Sequence, residues 1–299
     1  MIERFEVPKE VPRKIAIYGK AGIGKSITSS HISAALSEMG EKVGLMQVGC
    51  DPKRDSIALL CGGIMPTVLE KLRMIESDSL GDEDTGPVEL TDVKLDEVIF
   101  SGYNGIVCCE AGGPRPGMGC AGRGVLVAIN ILDEFKVYER NNVGFAIFDV
   151  LGDVVCGGFA QPMRAGQAHE IYIVTCGEIL ALYISNEIMR AVNRIRSEGV
   201  NVGLAGLIDN QRNVPFEREI VEEFARRTGV PVILHVPRSP KVQEAEIMCK
   251  TVIEAFPESD QALVYRSLAR KVYENQYIYA PAPLNGLDEV VDVVRTYIH

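Results

Sequence analysis

Short apolar, β-branched runs alternate along the chain with longer stretches of helical period. The runs fall at residues 14–18, 42–48, 105–109, 144–150, 170–175, 202–208 and 230–236, and the segments between them repeat their apolar residues every three to four positions. Strands that alternate with helices predict a parallel sheet with crossover helices. Phe145-Ala146-Ile147-Phe148 is apolar without alternation, the pattern of a strand covered on both faces. The expected architecture is therefore α/β, a mostly parallel, doubly wound sheet flanked by helices. No linker or compositional break interrupts the repeat. This predicts one domain over residues 1–299 with an extension, Pro-rich and then helical, from about residue 275.

Composition narrows the partners. At 299 residues, 46% hydrophobic and 24% charged, the chain can bury a large core without help from a second protein. A formal net charge of -10 repels phosphate backbones and anionic lipids, which attract clustered Lys and Arg. Neither nucleic acid nor membrane is an expected partner. The opening stretch from Met1 to Pro12 is charged and Pro-interrupted, and no later run approaches the roughly 20 apolar residues that span a bilayer. A cytoplasmic protein is expected.

Between the first strand and the helical run at 27–39 stands Gly19-Lys20-Ala21-Gly22-Ile23-Gly24-Lys25-Ser26. It matches G-x-x-x-x-G-K-[ST] in the strand, loop and helix setting that the motif requires. The glycines let successive N–H groups face phosphate oxygens, and the helix N-terminus adds its dipole. Lys25 reaches the terminal phosphates in this motif, and Ser26 ligates Mg²⁺. Lys20, a second lysine at the start of the loop, marks the deviant Walker A motif, whose lysine reaches the nucleotide of a neighbouring subunit. The fold class is thereby narrowed to a P-loop NTPase. Phosphoryl transfer also needs carboxylates to complete the Mg²⁺ shell and order the attacking water. Two acidic segments follow strands, Asp51-Pro52-Lys53-Arg54-Asp55 and Asp149-Val150-Leu151-Gly152-Asp153, and ligands of an open parallel sheet gather at such strand ends. Asp51 is assigned to positioning the nucleophile, Lys53 to phosphate contact, Asp55 and Asp149 to the Mg²⁺ shell, and Asp153 to sensing the terminal phosphate.

The eight cysteines are expected as reduced thiols. Cys50, Cys61, Cys108, Cys109, Cys176 and Cys249 lie in or beside apolar segments and read as small buried hydrophobes. Cys120 and Cys156 differ, because the loop at 112–124 and Cys156-Gly157-Gly158 are so rich in glycine that backbone can approach a bulky group closely. Thiolates there suit iron–sulfur ligation, yet a [4Fe-4S] cluster takes four and each chain offers two such loops. A symmetric dimer with one shared cluster on its two-fold axis meets the count. A dithiol or an intrachain disulfide is the competing reading. Cys156 follows Asp153 by three residues, so a segment that senses the terminal phosphate runs on into a cluster ligand.

Val48-Gly49-Cys50-Asp51-Pro52-Lys53, the loop at 112–124 and the stretch from Asp149 to Phe159 together resemble the nitrogenase iron protein family and its nitrogenase-like relatives, over the chain from Ile15 to about Val272. The resemblance implies a homodimer that binds MgATP in each subunit and holds one [4Fe-4S] cluster between the copies through Cys120 and Cys156. Such a protein passes single electrons, received from ferredoxin or flavodoxin, to a larger catalytic component as ATP is hydrolysed. The resemblance carries phosphate and switch roles onto Lys20, Lys25, Ser26, Asp51, Lys53, Asp55, Asp149 and Asp153. It carries base binding onto Asn210, Pro237, Arg238, Gln243, Glu246, Gln261 and Tyr265. Arg123 matches a partner-facing arginine that some members have ADP-ribosylated.

Several positions depart from the family pattern. Ala21 stands where the family usually has glycine, Ile27 where it has threonine and Arg115 where nitrogenase reductases have an acid. The acidic stretch at 77–89, with Asp78, Asp82, Glu83, Asp84 and Glu89, is longer. Pro66-Thr67-Val68-Leu69-Glu70 and Ala111 look more like nitrogenase-like branches, such as the reductases serving the nickel-tetrapyrrole cyclase of coenzyme F430 synthesis or methylthio-alkane reduction. Dinitrogen is therefore not the expected final substrate. Two other classes stay open: a partitioning or cargo-loading P-loop ATPase that moves no electrons, and an ATPase that serves as an iron–sulfur scaffold.

Overall fold

A computed structural model describes residues 3–39, 44–79, 94–113, 122–152, 160–164 and 166–298, without the side chains of residues 76–79, 122 and 123. Its strands are β1 Arg4–Glu6, β2 Arg13–Gly19, β3 Gly44–Cys50, β4 Ile99–Ser101, β5 Val107–Glu110, β6 Val143–Val150, β7 Glu170–Thr175, β8 Gly203–Asn210, β9 Val232–Val236 and β10 Tyr277–Tyr279. Its helices are α1 Lys25–Ser37, α2 Ala58–Cys61, α3 Val68–Ser79, α4 Gly122–Glu134, α5 Val137–Arg140, α6 Gln161–Arg164, α7 Ile179–Ser197, α8 Glu217–Thr228, α9 Pro240–Ile247, α10 Val252–Ala255, α11 Asp260–Glu274 and α12 Leu287–Arg295.

All described strands belong to one sheet in the order β1-β10-β8-β7-β2-β6-β3-β5-β4, with β9 also paired to β8. The seven expected strands are β2, β3, β5, β6, β7, β8 and β9, and every pairing among them is parallel. The chain leaves β2 for β3 and β5 on one side, returns to β6, and then crosses β2 to β7 and β8. That reversal opens a crevice at the carboxyl ends of the central strands, which is where the phosphate loop follows β2.

Side chains alternate along each strand, so one strand feeds two cores. Ala16 and Tyr18 enter a core shared with apolar residues of α3, α4, α7, α8 and α12. Ile15 and Ile17 enter another, with residues of α1, α2, α10 and α11. All four are fully buried, and each of the two isoleucines contributes about 1.5–3 kcal/mol. Arg13, at the root of β2, ties the strand to its surroundings. Its Nε and Nη2 donate to the two Glu170 carboxylate oxygens at 2.6 and 2.7 Å, and Nη2 also reaches the Asn275 carbonyl just beyond α11 at 2.9 Å, a favourable place for a cation.

Three short strands go beyond the expected set. β1, β4 and β10 are antiparallel elements of three residues each, β1 and β4 at the two ends of the order and β10 next to β1, too short for period to reveal. The tail after residue 275 supplies β10, which joins β1 to β8, and α12, whose Val290 and Val293 are buried in the core with α7 and α8. β3 begins at Gly44, since residues 40–43 lie outside the described set. The acidic stretch from residue 77 starts as the end of α3, and its remainder from residue 80 lies outside the described residues. No described helix is long and apolar enough to cross a membrane.

Candidate functional site

The loop after β2 has the backbone that its glycines require. Gly19, Gly22 and Gly24 take φ of 149°, 76° and 100°, values that side-chain-bearing residues rarely adopt. A Cβ at Gly24 would also stand 2.5 Å from Asn210 Nδ2. Asn210 Nδ2 donates to the Ile23 carbonyl at 2.7 Å, and Arg212 Nη2 donates to the Gly22 carbonyl at 2.6 Å. Glu217 holds this clamp from behind, accepting from the backbone N–H of Arg212, Val214 and Gly177. Ala21 is exposed and does not take a positive φ, so its methyl adds no strain to the loop.

Lys25 is 6% exposed, and its Nζ turns back to the Lys20 carbonyl at 3.4 Å. Burial pulls its pKa down, while Asp149 and Asp51 oppose that shift. Ser26 Oγ lies 3.4 Å from Asp55 Oδ1. Asp51 accepts from the Lys53 N–H at 3.0 Å and stands 4.0 Å from Lys53 Nζ. Lys20 Nζ is 3.8 Å from Glu178, with both side chains partly exposed. Asp149, at the end of β6, is 1% exposed, and neither of its carboxylate oxygens has a hydrogen-bond partner. Burial pushes its carboxyl up to about 6, against the pull of Lys25 and the neighbouring Ser26 and Ser56 hydroxyls. Two orphaned carboxylate oxygens beside a serine hydroxyl and a second carboxylate form the hard oxygen donor set that Mg²⁺ prefers. The residues present fit that ion.

From the loop a cleft of about 470 Å³ extends toward α9 and α11. Gly22, Gly24, Ile27, Asn210, Pro237, Arg238, Gln243, Glu246 and Tyr265, all expected from sequence, line it. Gln261 does not; it is 5% exposed, beside the Tyr265 hydroxyl, and its Nε2 lacks a partner. Gln211, Arg212 and Asn213 also line the cleft and were not among the expected residues, although their position just past Asn210 at a strand end was a usable signal. Tyr265 stacks on His31 with ring centroids 4.0 Å apart. His31 in turn makes a 2.7 Å hydrogen bond from Nδ1 to the Ile27 carbonyl, and its Nε2 accepts from the Val252 N–H at 2.9 Å. This pattern fixes a neutral imidazole, and burial lowers its pKa to about 4.

Glu110 is a further residue that sequence reading passed over. It ends β5 in register with Gly49 of β3, which is in register with Asp149 of β6. A Cβ at Gly49 would collide with the Glu110 carboxylate, so that carboxylate lies over the glycine. Its Oε1 accepts from the Ile57 N–H at 2.9 Å, and its Oε2 is unpartnered. Burial raises the carboxyl from 4.5 to about 8. The folded protein thus holds this proton more tightly than the unfolded chain does, so the stabilisation is full below about pH 4.5 and is lost as pH rises to about 8. Thermal unfolding of nucleotide-free Glu110→Gln between pH 5 and 9 should show a flatter decline in Tm than the parent chain, and an identical decline would refute the assignment.

Gly152 joins the second acidic segment to the loop, since a Cβ there would strike the Gly19 carbonyl and the Ala21 nitrogen. The next residue, Asp153, lies outside the described residues. So do Cys120, Cys156, Arg115 and the side chain of Arg123. Among the described residues no group of three or more His, Cys, Asp or Glu side chains converges as a metal site. Cys50, Cys108, Cys109 and Cys176 are buried as expected, but Cys61 is only half-buried. Cys249 corrects the expectation, being exposed with φ 52° in the turn that ends α9.

The chain has the fold of P-loop ATPases. It is similar in structure to the septum site-determining protein MinD of Pyrococcus horikoshii OT3, solved with Mg-ADP, at TM-score 0.58 and 20% identity over 88% of this chain and 96% of that one. A ParA family ATPase from Chlorobium tepidum TLS gives TM-score 0.61 at 15% identity, over 86% and 99%. Sequence is more specific. Residues 13–298 match the profile of the 4Fe-4S iron sulfur cluster binding proteins of the NifH/frxC family, and the chain belongs to that family. It is 47% identical to nitrogenase iron protein 2 of Paenibacillus durus over 91% of this chain and 87% of the relative. It is 45% identical to the nitrogenase iron protein of Methanospirillum hungatei JF-1 over 96% of both.

Proposed function

We propose that this chain is an ATP-dependent iron–sulfur reductase component, a homodimer that passes single electrons from one shared [4Fe-4S] cluster to a larger nitrogenase-like catalytic partner. Lys25, Lys20 and the loop N–H groups hold the phosphates, Ser26, Asp55 and Asp149 hold Mg²⁺, Asp51 orders the hydrolytic water, and Asp153 senses the terminal phosphate. Lys53 contacts phosphate, and Asn210, Pro237, Arg238, Gln243, Glu246, Gln261 and Tyr265 surround the base. Cys120 and Cys156 of each copy hold the cluster, which supplies a one-electron couple when bound. Ferredoxin or flavodoxin is the donor, and Arg123 faces the partner. Residues 1–299 act as one unit, with the segment from about 275 extending it.

The observation that carries this reading is the contact of Gly152 with Gly19 and Ala21. Only three residues along the chain separate Gly152 from Cys156. A change at the terminal phosphate therefore has a short covalent path to the cluster. The departures at Ala21, Ile27 and Arg115, together with residues 66–70 and Ala111, favour a branch whose final substrate is not dinitrogen.

Anaerobically purified protein should carry about four iron and four sulfide per two chains, with a reduced-cluster EPR signal. In Cys156→Ser both should vanish while ATP still binds. Iron-free parent protein with full ATPase activity would instead favour a partitioning ATPase, the class of function whose fold it shares. Release of the cluster to an apo-protein, without electron transfer, would favour a scaffold.

A further inference from the structure

We propose that Gln47 is a positioning residue for the phosphate site: it pins Ser56 to the frame of the fold and thereby sets where Asp55 stands against Ser26. The proposal deepens the nucleotide reading above and rests on it. Gln47 lies in β3 among Leu45, Met46 and Val48, where packing alone calls for another apolar side chain. It is fully buried, and both ends of its amide are bonded. Oε1 accepts from Ser33 Oγ at 2.6 Å, while Nε2 donates to the Ser56 carbonyl at 2.7 Å and reaches Ser56 Oγ at 3.1 Å.

The same Ser56 carbonyl accepts from Ser30 Oγ at 2.7 Å, and the next N–H, of Ile57, donates to Glu110. Ser30, Gln47, Ser56 and Ile57 all have zero exposure. Residues 56–57 are thus tied to α1, β3 and β5 together. The residues just before them differ in every respect. Pro52, Lys53 and Asp55 are exposed, a turn is closed by the Arg54 N–H on the Asp51 carbonyl, and Arg54 takes φ 62°.

Asp55 is therefore one residue, about 3.8 Å of chain, from a fixed point. Ser30 and Ser33 sit on α1, the helix whose first turn carries Ser26. The network consequently fixes Asp55 in the same frame as the serine that it faces at 3.4 Å. A satisfied buried polar network specifies geometry in a way that an apolar side chain of equal volume does not. The segment 51–55 can rearrange around a ligand only by pivoting on this anchor.

The full chain is tested as the parent, Gln47→Leu and Ser30→Ala. Hydrogen exchange is followed over residues 51–57, and ATP binding is measured by calorimetry with Mg²⁺ and with EDTA. Gln47→Leu should exchange faster over 51–57, and the Mg²⁺-dependent gain in ATP affinity should shrink about tenfold, within the usual span of coupling between sites. Affinity in EDTA should stay unchanged. Ser30→Ala, which keeps the Gln47 bonds to Ser33 and Ser56 and loses only the 3.4 Å contact of Gln47 Nε2 with Ser30 Oγ and the Ser30 bond to the Ser56 carbonyl, should show the same change in smaller degree, and it decides the matter if Gln47→Leu does not fold. An unaltered Mg²⁺ effect in the folded variants overturns the proposal. So does an equal loss of affinity with and without Mg²⁺, which is what a merely structural role produces. Failure of the parent chain to bind ATP at all would overturn the nucleotide reading instead.

Discussion

Lys25→Ala should lower ATP turnover by about 10²–10³-fold, the usual effect of losing one electrostatic contact to a developing charge. Its ammonium is nearly buried, yet Asp149 and Asp51 support the charged form, so it is a desolvated cation aimed at the loop. A group of that kind interacts far more strongly with a phosphate than an exposed lysine does. Phosphate release under saturating MgATP measures the effect. Turnover within threefold of the parent would remove Lys25 from the phosphate site. Lys20, partly exposed and turned toward Glu178, belongs to a different experiment, because its expected target lies on the second subunit.

Asp149→Asn should separate stability from activity. The native carboxyl is buried with both oxygens unpartnered, and its pKa is raised from 3.8 to about 6. Above pH 6 the folded state must carry this charge buried and without a hydrogen-bond partner, only partly offset by Lys25, whereas in acid the group is neutral and the burden disappears. The amide variant, in the absence of nucleotide, should therefore unfold at a higher temperature than the parent at pH 8, and the difference should close toward pH 5. Mg²⁺-dependent hydrolysis should fall by about 10²-fold or more. Sites built to bind a cation commonly sacrifice stability in this way. A variant with parental Mg²⁺ dependence would show that Asp149 does not hold the ion, and a lower Tm at pH 8 would show that its charge is compensated in the free protein.

The parallel core of the fold was legible because its strands are covered on both faces and are apolar end to end. β7 matches its expected span, residues 170–175, and β6 begins one residue earlier than expected. The strands β1 and β10 were not legible, since Arg4–Glu6 and Tyr277–Tyr279 acquire their conformation from each other and not from local pattern. At the site, a contiguous motif announced Gly19 to Ser26. Glu110 and Gln47 gave no such signal. Each looks like an unremarkable polar residue in an apolar strand until the register of β3, β5 and β6 and the approach of α1 bring its partners to it. Arg212 stood just past a strand end, a usable signal, but its particular contact with the Gly22 carbonyl spans 190 residues of chain and shows only in the fold.

The stacked pair His31 and Tyr265 has a consequence for how a nucleotide enters and leaves. Tyr265 is locked through His31 to the first turns of α1 and to Val252, so this side of the cleft is stiff and moves only with the phosphate helix itself. The opposite side is α9, in which only Ala245 is buried. The cleft has one anchored jaw and one lightly packed jaw. Widening it for a nucleotide is therefore expected to displace residues 237–246 rather than the aromatic wall.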